Sequence, residues 1–524
     1  MRATAVGPWG LVIFPLCLAA VLCIGWSSRR PWSSANDYLN ASRSISLWAA
    51  ALAFLAYNCG SIEVVGMSAM AAQYGAQALH FYWVGGIPGM IFLGLVVLPV
   101  YMRSGARSLP EYLGMRFGPK VRLLNACISM AGTVCFAGVA LYTLGQVLHV
   151  ILGWRFQAGA LLCAAVVLAY VLAGGVRASI FTSVFQLFVM VAGLAPLLFF
   201  TVRFNAASWA HRPDRWHLWR PLPLFSPHAS LDRICVLIGL GFVISFSYWC
   251  TDFVMIQRAL AARTADDARK VPLLAGFGKM GIAFLVVLPG VAAPALLRGT
   301  VSFDQTMPAL MALEFGPALL ALGTAALIAG LMAWLAGNVS GFSALWTEEI
   351  YRVRLHPGRS EQHYIRAGQM AVPACLALAQ LAAYAAFQFH DIMEFLQLIV
   401  ALFYAPVFAA VLAGVTSRRT TERGAFAGIC AGVAAALALQ VACWMRFARF
   451  GSQMNANFYE AILSFSVALS ACLLMRERAC QDAPGGADVV FDKTLRKALR
   501  PSPALAVLSI VLLALCLFLN VLWW

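Results

Sequence analysis

Charge is what this sequence has least of. Of its 524 residues, 11% are Asp, Glu, Lys or Arg, against roughly 25% in a water-soluble chain. That excludes a soluble globular protein, because 62% hydrophobic residues would leave large apolar patches in water. Acidic residues are the scarcer sign, 21 against 37 basic ones, for a net charge of +16. No zinc-ligand spacing or soluble basic module accompanies that excess. The basic residues lie between apolar runs, which fits a positive-inside bias and argues against a nucleic-acid partner. The 14 cysteines include no CxxC pair and no Cys/His cluster. Cys17, Cys23, Cys127, Cys163 and Cys516 sit within apolar runs and read as small hydrophobes. HExxH and GxSxG motifs are lacking and the titratable groups form no catalytic constellation, so no enzyme is expected.

What is present is a succession of apolar runs long enough to cross a bilayer. They fall near 8–26, 46–74, 80–102, 121–152, 157–174, 180–202, 233–257, 271–297, 317–345, 366–387, 392–416, 424–445, 457–475 and 503–522. These predict about 14 transmembrane helices in an all-α polytopic protein whose first partner is the lipid bilayer. The run Pro8–Trp26 has no small-residue cleavage site at Ser27–Arg30 and is expected to be a retained helix, not a signal peptide. With both termini outside, 26 of the 37 basic residues fall in inside segments and 10 in outside ones, five of those ten in the long stretch 203–233. Lys279 is inside a run. The expected location is the plasma membrane, the inner membrane in a bacterium. The longest polar stretches are 203–232 and 476–502, the latter a linker with Pro484-Gly485-Gly486. No soluble domain is expected.

Two runs are polar in the middle. One reads Ala56-Tyr57-Asn58-Cys59-Gly60-Ser61-Ile62-Glu63, the other Ser245-Phe246-Ser247-Tyr248-Trp249-Cys250-Thr251-Asp252. Asn, Gly and Ser weaken a helix, and irregular backbone at membrane depth is tolerated only inside protein or around a cavity. Breaks five helices apart point to an inverted-repeat transporter with a midplane site; polar helix–helix contacts are the plainer alternative. Lys279, Glu394 and Gln397 also lie in apolar surroundings, where a charge normally faces the protein interior. Glu63 and Lys279 are opposite in sign and suited to offset one another, whereas Glu394 also reads as an interfacial residue beside His390 and Asp391.

Several stretches resemble the sodium/solute symporter family, especially its sodium–sugar cotransporter branch. Asn36-Asp37-Tyr38-Leu39 with Arg43 resembles the entry to the family's first core helix. Ser108-Leu109-Pro110-Glu111-Tyr112-Leu113 followed by Arg116-Phe117-Gly118 is similar to its PE-x-x-x-x-RFG loop. Gly174-Gly175 with Thr182 and Gln186, Tyr248-Trp249 with Gln257-Arg258-Ala259-Leu260-Ala261-Ala262-Arg263, and Ser340, Ser343 with Thr347-Glu348-Glu349-Ile350-Tyr351 match further motifs in family order. The resemblance implies a LeuT-like 5+5 inverted-repeat core: 1–45 an extra helix and linker, 46–202 the first repeat, 203–232 an extracellular loop, 233–416 the second repeat, 417–524 extra helices. It implies alternating access driven by a sodium gradient, with no other cofactor.

The same resemblance implies a solute site at Asn58, Tyr248, Lys279 and Gln397, with Glu63, Tyr82 and Ser245 in place of the branch's glutamine, glutamate and asparagine. A tyrosine face stacks on a sugar ring, and amides and charges bond hydroxyls. A small polar solute is expected: a sugar, a sugar derivative, a polyol, or a cation paired with Glu63. The implied sodium ligands are the carbonyls of Ala56, Cys59 and Gly330. The two hydroxyl positions hold Ala333 and Trp334, which cannot ligate through their side chains, and Ser183 replaces a nearby Asp. A rearranged sodium site, proton coupling through Glu63 and uncoupled exchange remain open, as does a solute sensor without net transport. Oligomeric state is not legible.

Overall fold

Lipid offers no hydrogen-bond partner to a backbone, so the apolar runs must satisfy their own amides as helices. The computed structural model describes residues 6–28, 34–40, 43–204, 213–297, 301–386, 388–389, 391–417, 419–475 and 500–524. The expected linker up to residue 499, part of the 203–232 loop, Arg29, Arg30 and His390 lie outside the described residues. Among those described, the only extended pairing is an isolated bridge between Ile45 and Ala262.

The chain runs α1 (Gly7–Ser27), α2 (Leu47–Asn58), α3 (Ser61–Tyr74), α4 (Phe81–Ser104), α5 (Pro119–Leu152), α6 (Phe156–Arg203), α7 (Cys235–Thr251) and α8 (Phe253–Leu260). It continues through α9 (Ala265–Leu297), α10 (Pro317–Leu355), α11 (Glu361–Ala386), α12 (Ile392–Thr416), α13 (Glu422–Trp444), α14 (Gln453–Leu474) and α15 (Pro503–Leu522). Among the described residues eleven helices are long and apolar enough to cross a membrane, and 13 if each bent pair counts as one span. Residues 157–174 and 180–202, expected as two spans, are two helices that follow one another without a polar loop and are kinked at Gly175 within Phe156–Arg203. The interruption is confined to Gly175, whose φ of +58° suits glycine, and a Cβ there would lie 2.5 Å from Tyr38 O.

Both expected breaks are present. The chain bends by 48° between α2 and α3 and by 55° between α7 and α8. Small residues let the other helices close on them. A Cβ on Gly278 of α9 would meet Leu55 at 2.4 Å, and one on Gly290 would meet Ser68 O at 2.7 Å. On α6 a Cβ at Gly193 would meet Ala326 of α10 at 2.5 Å, the close-approach packing that replaces hydrophobic drive in lipid.

At the end of the bundle that carries the start of α12, Asp304 accepts the Ile392 N–H at 3.0 Å. Burial, aided by the charge of Asp391, pushes its carboxyl up to about 7. A carboxyl that holds its proton more tightly when folded stabilises the fold increasingly as pH falls from about 7 towards the ordinary value of 3.8. Thermal unfolding in detergent is thus expected to shift upward from pH 8 to pH 5, and Asp304→Asn to flatten that slope; an unaltered slope in the variant contradicts the assignment.

The opposite end is latched by ion pairs. Arg122 Nε lies 2.7 Å from Glu349 Oε2, and Ser108 Oγ donates to Glu349 Oε1. Ser108 also accepts the Glu111 N–H, capping the short helix Leu109–Arg116. Arg352 pairs with Glu348 and with Glu361.

Candidate functional site

The breaks form where the sequence withdraws helix support. α2 ends at Asn58, Gly60 is extended, and α3 restarts at Ser61 with Glu63 in its first turn, where a carboxylate suits the positive helix end. Gly60 is obligatory: a Cβ would lie 2.9 Å from Gly330 O of α10. In the second break Asp252 is extended and its Oδ1 accepts the Met255 N–H at 2.8 Å, capping α8. Its Oδ2 accepts from Tyr404 at 3.3 Å.

Between the breaks lies a cavity of about 110 Å³. All seven residues singled out for the solute line it: Asn58, Glu63, Tyr82, Ser245, Tyr248, Lys279 and Gln397. Three lining segments, Phe81–Gly86, Cys235–Ile244 and Val400–Tyr404, are wound with the wider π turn that frequently marks functional sites.

Lys279 organises the polar wall. Its Nζ donates to Glu63 Oε2 at 2.7 Å and to Asn58 Oδ1 at 2.5 Å. The ammonium lies 4.8 Å from the Tyr82 ring centroid and 5.6 Å from that of Trp249. Asn58 Nδ2 in turn donates to Tyr248 OH at 3.4 Å. A Cβ on Gly86 would meet Lys279 Cε at 3.0 Å, and one on Gly85 would meet Ser245 Oγ at 2.3 Å, so glycines on α4 make room for both side chains. The lysine's charge is answered by Glu63, which leaves the pair neutral. Gln397 is buried, lines the cavity and has its Oε1 without a protein partner among the described residues. It is an acceptor open to a ligand.

Sequence reasoning missed the apolar walls, among them Trp249, Phe136 and Met393. Trp249 had a signal, since it follows Tyr248 directly; Phe136 and Met393 sit in apolar runs with none. Glu394 is buried but does not line the cavity. Its carbonyl accepts from Asn457 of α14 at 2.8 Å. At the implied sodium position, Gly330 O faces Gly60, just past the end of α2. Ala333 presents a methyl, and Trp334 stacks on Tyr57 with centroids 4.7 Å apart and planes within 7°.

A model of the sodium:solute symporter family matches residues 38–432, most of the chain and both breaks. The chain belongs to this family. Sequence relatives include a sodium/glucose cotransporter of Vibrio parahaemolyticus, 29% identical over 409 residues covering 71% of this symporter-family chain and 74% of the relative. Another is sodium/glucose cotransporter 4 of Danio rerio, 28% identical over 68% of this chain and 60% of that one. Among solved structures, a Na⁺-coupled sialic acid symporter in a substrate-bound outward-open state aligns with a TM-score of 0.76 at 18% identity. That alignment covers 90% of this chain and 100% of the other, so this symporter-family member has its LeuT-like fold. The family implies sodium and a small solute as partners.

Proposed function

We propose that this family member is a secondary transporter that carries a small polar organic solute, a sugar or sugar derivative foremost, through the central cavity by alternating access. The observation that supports this most is the convergence of seven side chains from α2, α3, α4, α7, α9 and α12 on one cavity at the two breaks. Two five-helix repeats, 46–202 and 233–416, flank it, in a plasma membrane with both termini outside. Because Lys279 and Glu63 neutralise one another, an uncharged, hydroxyl-rich solute suits the wall better than a cation, which would have to displace the ammonium from Glu63. Tyr248 and Trp249 supply faces for a ring, and Asn58, Lys279, Ser245 and Gln397 supply donors and acceptors.

The test is a thermal-stability screen of the purified protein against sugars, sugar acids, polyols and amino acids. A neutral polyhydroxylated solute is expected to stabilise; stabilisation confined to amino acids or to permanent cations contradicts the reading. Gln397→Leu is expected to leave the melting temperature of the free protein near wild type and to weaken solute affinity about 2- to 10-fold, the worth of one neutral hydrogen bond. An unchanged affinity would remove Gln397 from the site.

Proton coupling through Glu63 is a second reading, supported by a carboxylate on the cavity wall within reach of a releasable ammonium partner. Under it, Glu63→Gln slows transport and flattens its pH dependence; the same pH profile in the variant rules it out.

A further inference from the structure

The residues at the implied sodium position fit the ion poorly. A small hard cation held between a helix break and its neighbour needs several oxygens. The resemblance implies the carbonyls of Ala56, Cys59 and Gly330 there, but the side chains do not complete a shell. Ala333 has no oxygen. Trp334 has only its N–H, already donated to Phe136 O at 3.1 Å. Ser183, where the resemblance implies a carboxylate, donates to Ser179 O at 2.6 Å.

A fixed cation is built in beside them. Arg258 of α8 is 2% exposed, and its guanidinium carbon lies 4.6 Å from the centroid of the Tyr57 ring. Its Nη2 reaches Ser179 Oγ at 3.4 Å and Ser183 Oγ at 3.5 Å. A Cβ on Gly337 of α10 would lie 2.5 Å from Tyr57 Cδ2 and 3.0 Å from Arg258 Nη1, so glycine makes room chiefly for the Tyr57 ring against which the guanidinium lies. Among the described residues no carboxylate contacts Arg258 directly: Asp252, the charge that acts on it from nearby, has its oxygens on Met255 N–H and Tyr404 OH. A buried positive charge repels a second cation nearby, and hydroxyls and an aromatic face hold the guanidinium in place. Tyr57 carries the connection onward. Its ring stacks on Trp334, its hydroxyl donates to Asn338 Oδ1 at 3.1 Å, and Asn338 Nδ2 donates to Trp334 O at 3.0 Å.

We propose that this chain moves its solute without sodium, and that Trp334, stacked on Tyr57 where a sodium ligand is implied, ties the broken helix to α10 in the ion's place, with the Arg258 guanidinium holding the same Tyr57 ring. The proposal rests on the transporter reading, and the sodium part of its test does not depend on finding the solute. Binding of ²²Na⁺ to the purified full chain is measured by scintillation proximity, with the Vibrio sodium/glucose cotransporter as positive control. Melting temperatures are read in sodium chloride and choline chloride at equal ionic strength. Expected are no saturable ²²Na⁺ binding and the same melting temperature in both salts. Saturable binding, or a rise specific to sodium, overturns the proposal. If no solute of the panel stabilises the protein in either salt, the transporter reading fails while the ²²Na⁺ result still stands. Arg258 is a positioning residue here. Arg258→Met is expected to lose at least 10-fold in solute affinity, and Arg258→Lys to restore part of it; equal affinities in the Met variant and wild type would remove the guanidinium from the role.

Discussion

Lys279→Met is expected to abolish solute binding and to destabilise the fold together. The lysine side chain is 6% exposed and its partner Glu63 11%, so removing the ammonium leaves a carboxylate nearly buried with no counter-charge. Breaking such a pair from one side costs about 3–5 kcal/mol, most of it the penalty of the stranded charge and not the worth of the bridge. Asn58 also loses the donor at its Oδ1, which frees the amide that orients Tyr248. Glu63→Gln/Lys279→Met should recover most of the stability, since two neutral side chains strand nothing, yet it should not recover binding. A double-mutant cycle in chemical unfolding separates the two effects. Additive destabilisation by the two single changes would mean that the pair is not coupled.

Glu349→Gln is expected to open the latched end of the bundle. Glu349 is buried and receives Arg122 and Ser108 at once, binding the end of α10 to α5 and to the start of the short helix Leu109–Arg116. Neutralising it removes a charge-assisted bond to each, about 2–3 kcal/mol of bias toward the closed arrangement. That corresponds to roughly a 30- to 150-fold shift between conformers. Ala344 lines the small cavity behind the latch and is buried. In a cysteine-depleted background, Ala344→Cys should react with a water-soluble maleimide at least tenfold faster when Glu349→Gln is added. Equal rates would mean that the latch does not gate this end.

The sequence carries these features unevenly, for physical reasons. The breaks are legible because Asn58-Cys59-Gly60 and Thr251-Asp252 are weak helix formers in otherwise apolar runs. Lys279 stands out because an ammonium at membrane depth must face inward, and Glu63 is the opposite charge nearest in character. Gly174-Gly175 is legible for the same reason as the breaks: two glycines weaken the helix, and the backbone kinks at Gly175 between one helix and the next. Phe136, Met393 and Arg258 are beyond pattern reading. Two are apolar residues in apolar helices. The third is a basic residue whose place in a family motif says nothing of a guanidinium laid against Tyr57, a contact made across more than 200 residues of chain by tertiary packing.

The most direct measurement is radiolabelled solute counterflow in proteoliposomes, comparing wild type with Lys279→Met reconstituted at equal density. The solute is the neutral compound that stabilises the protein most in the screen. The account requires saturable counterflow in wild type and none above empty vesicles in the variant. Equal counterflow by both proteins would place the transport path elsewhere and contradict the assignment of the cavity.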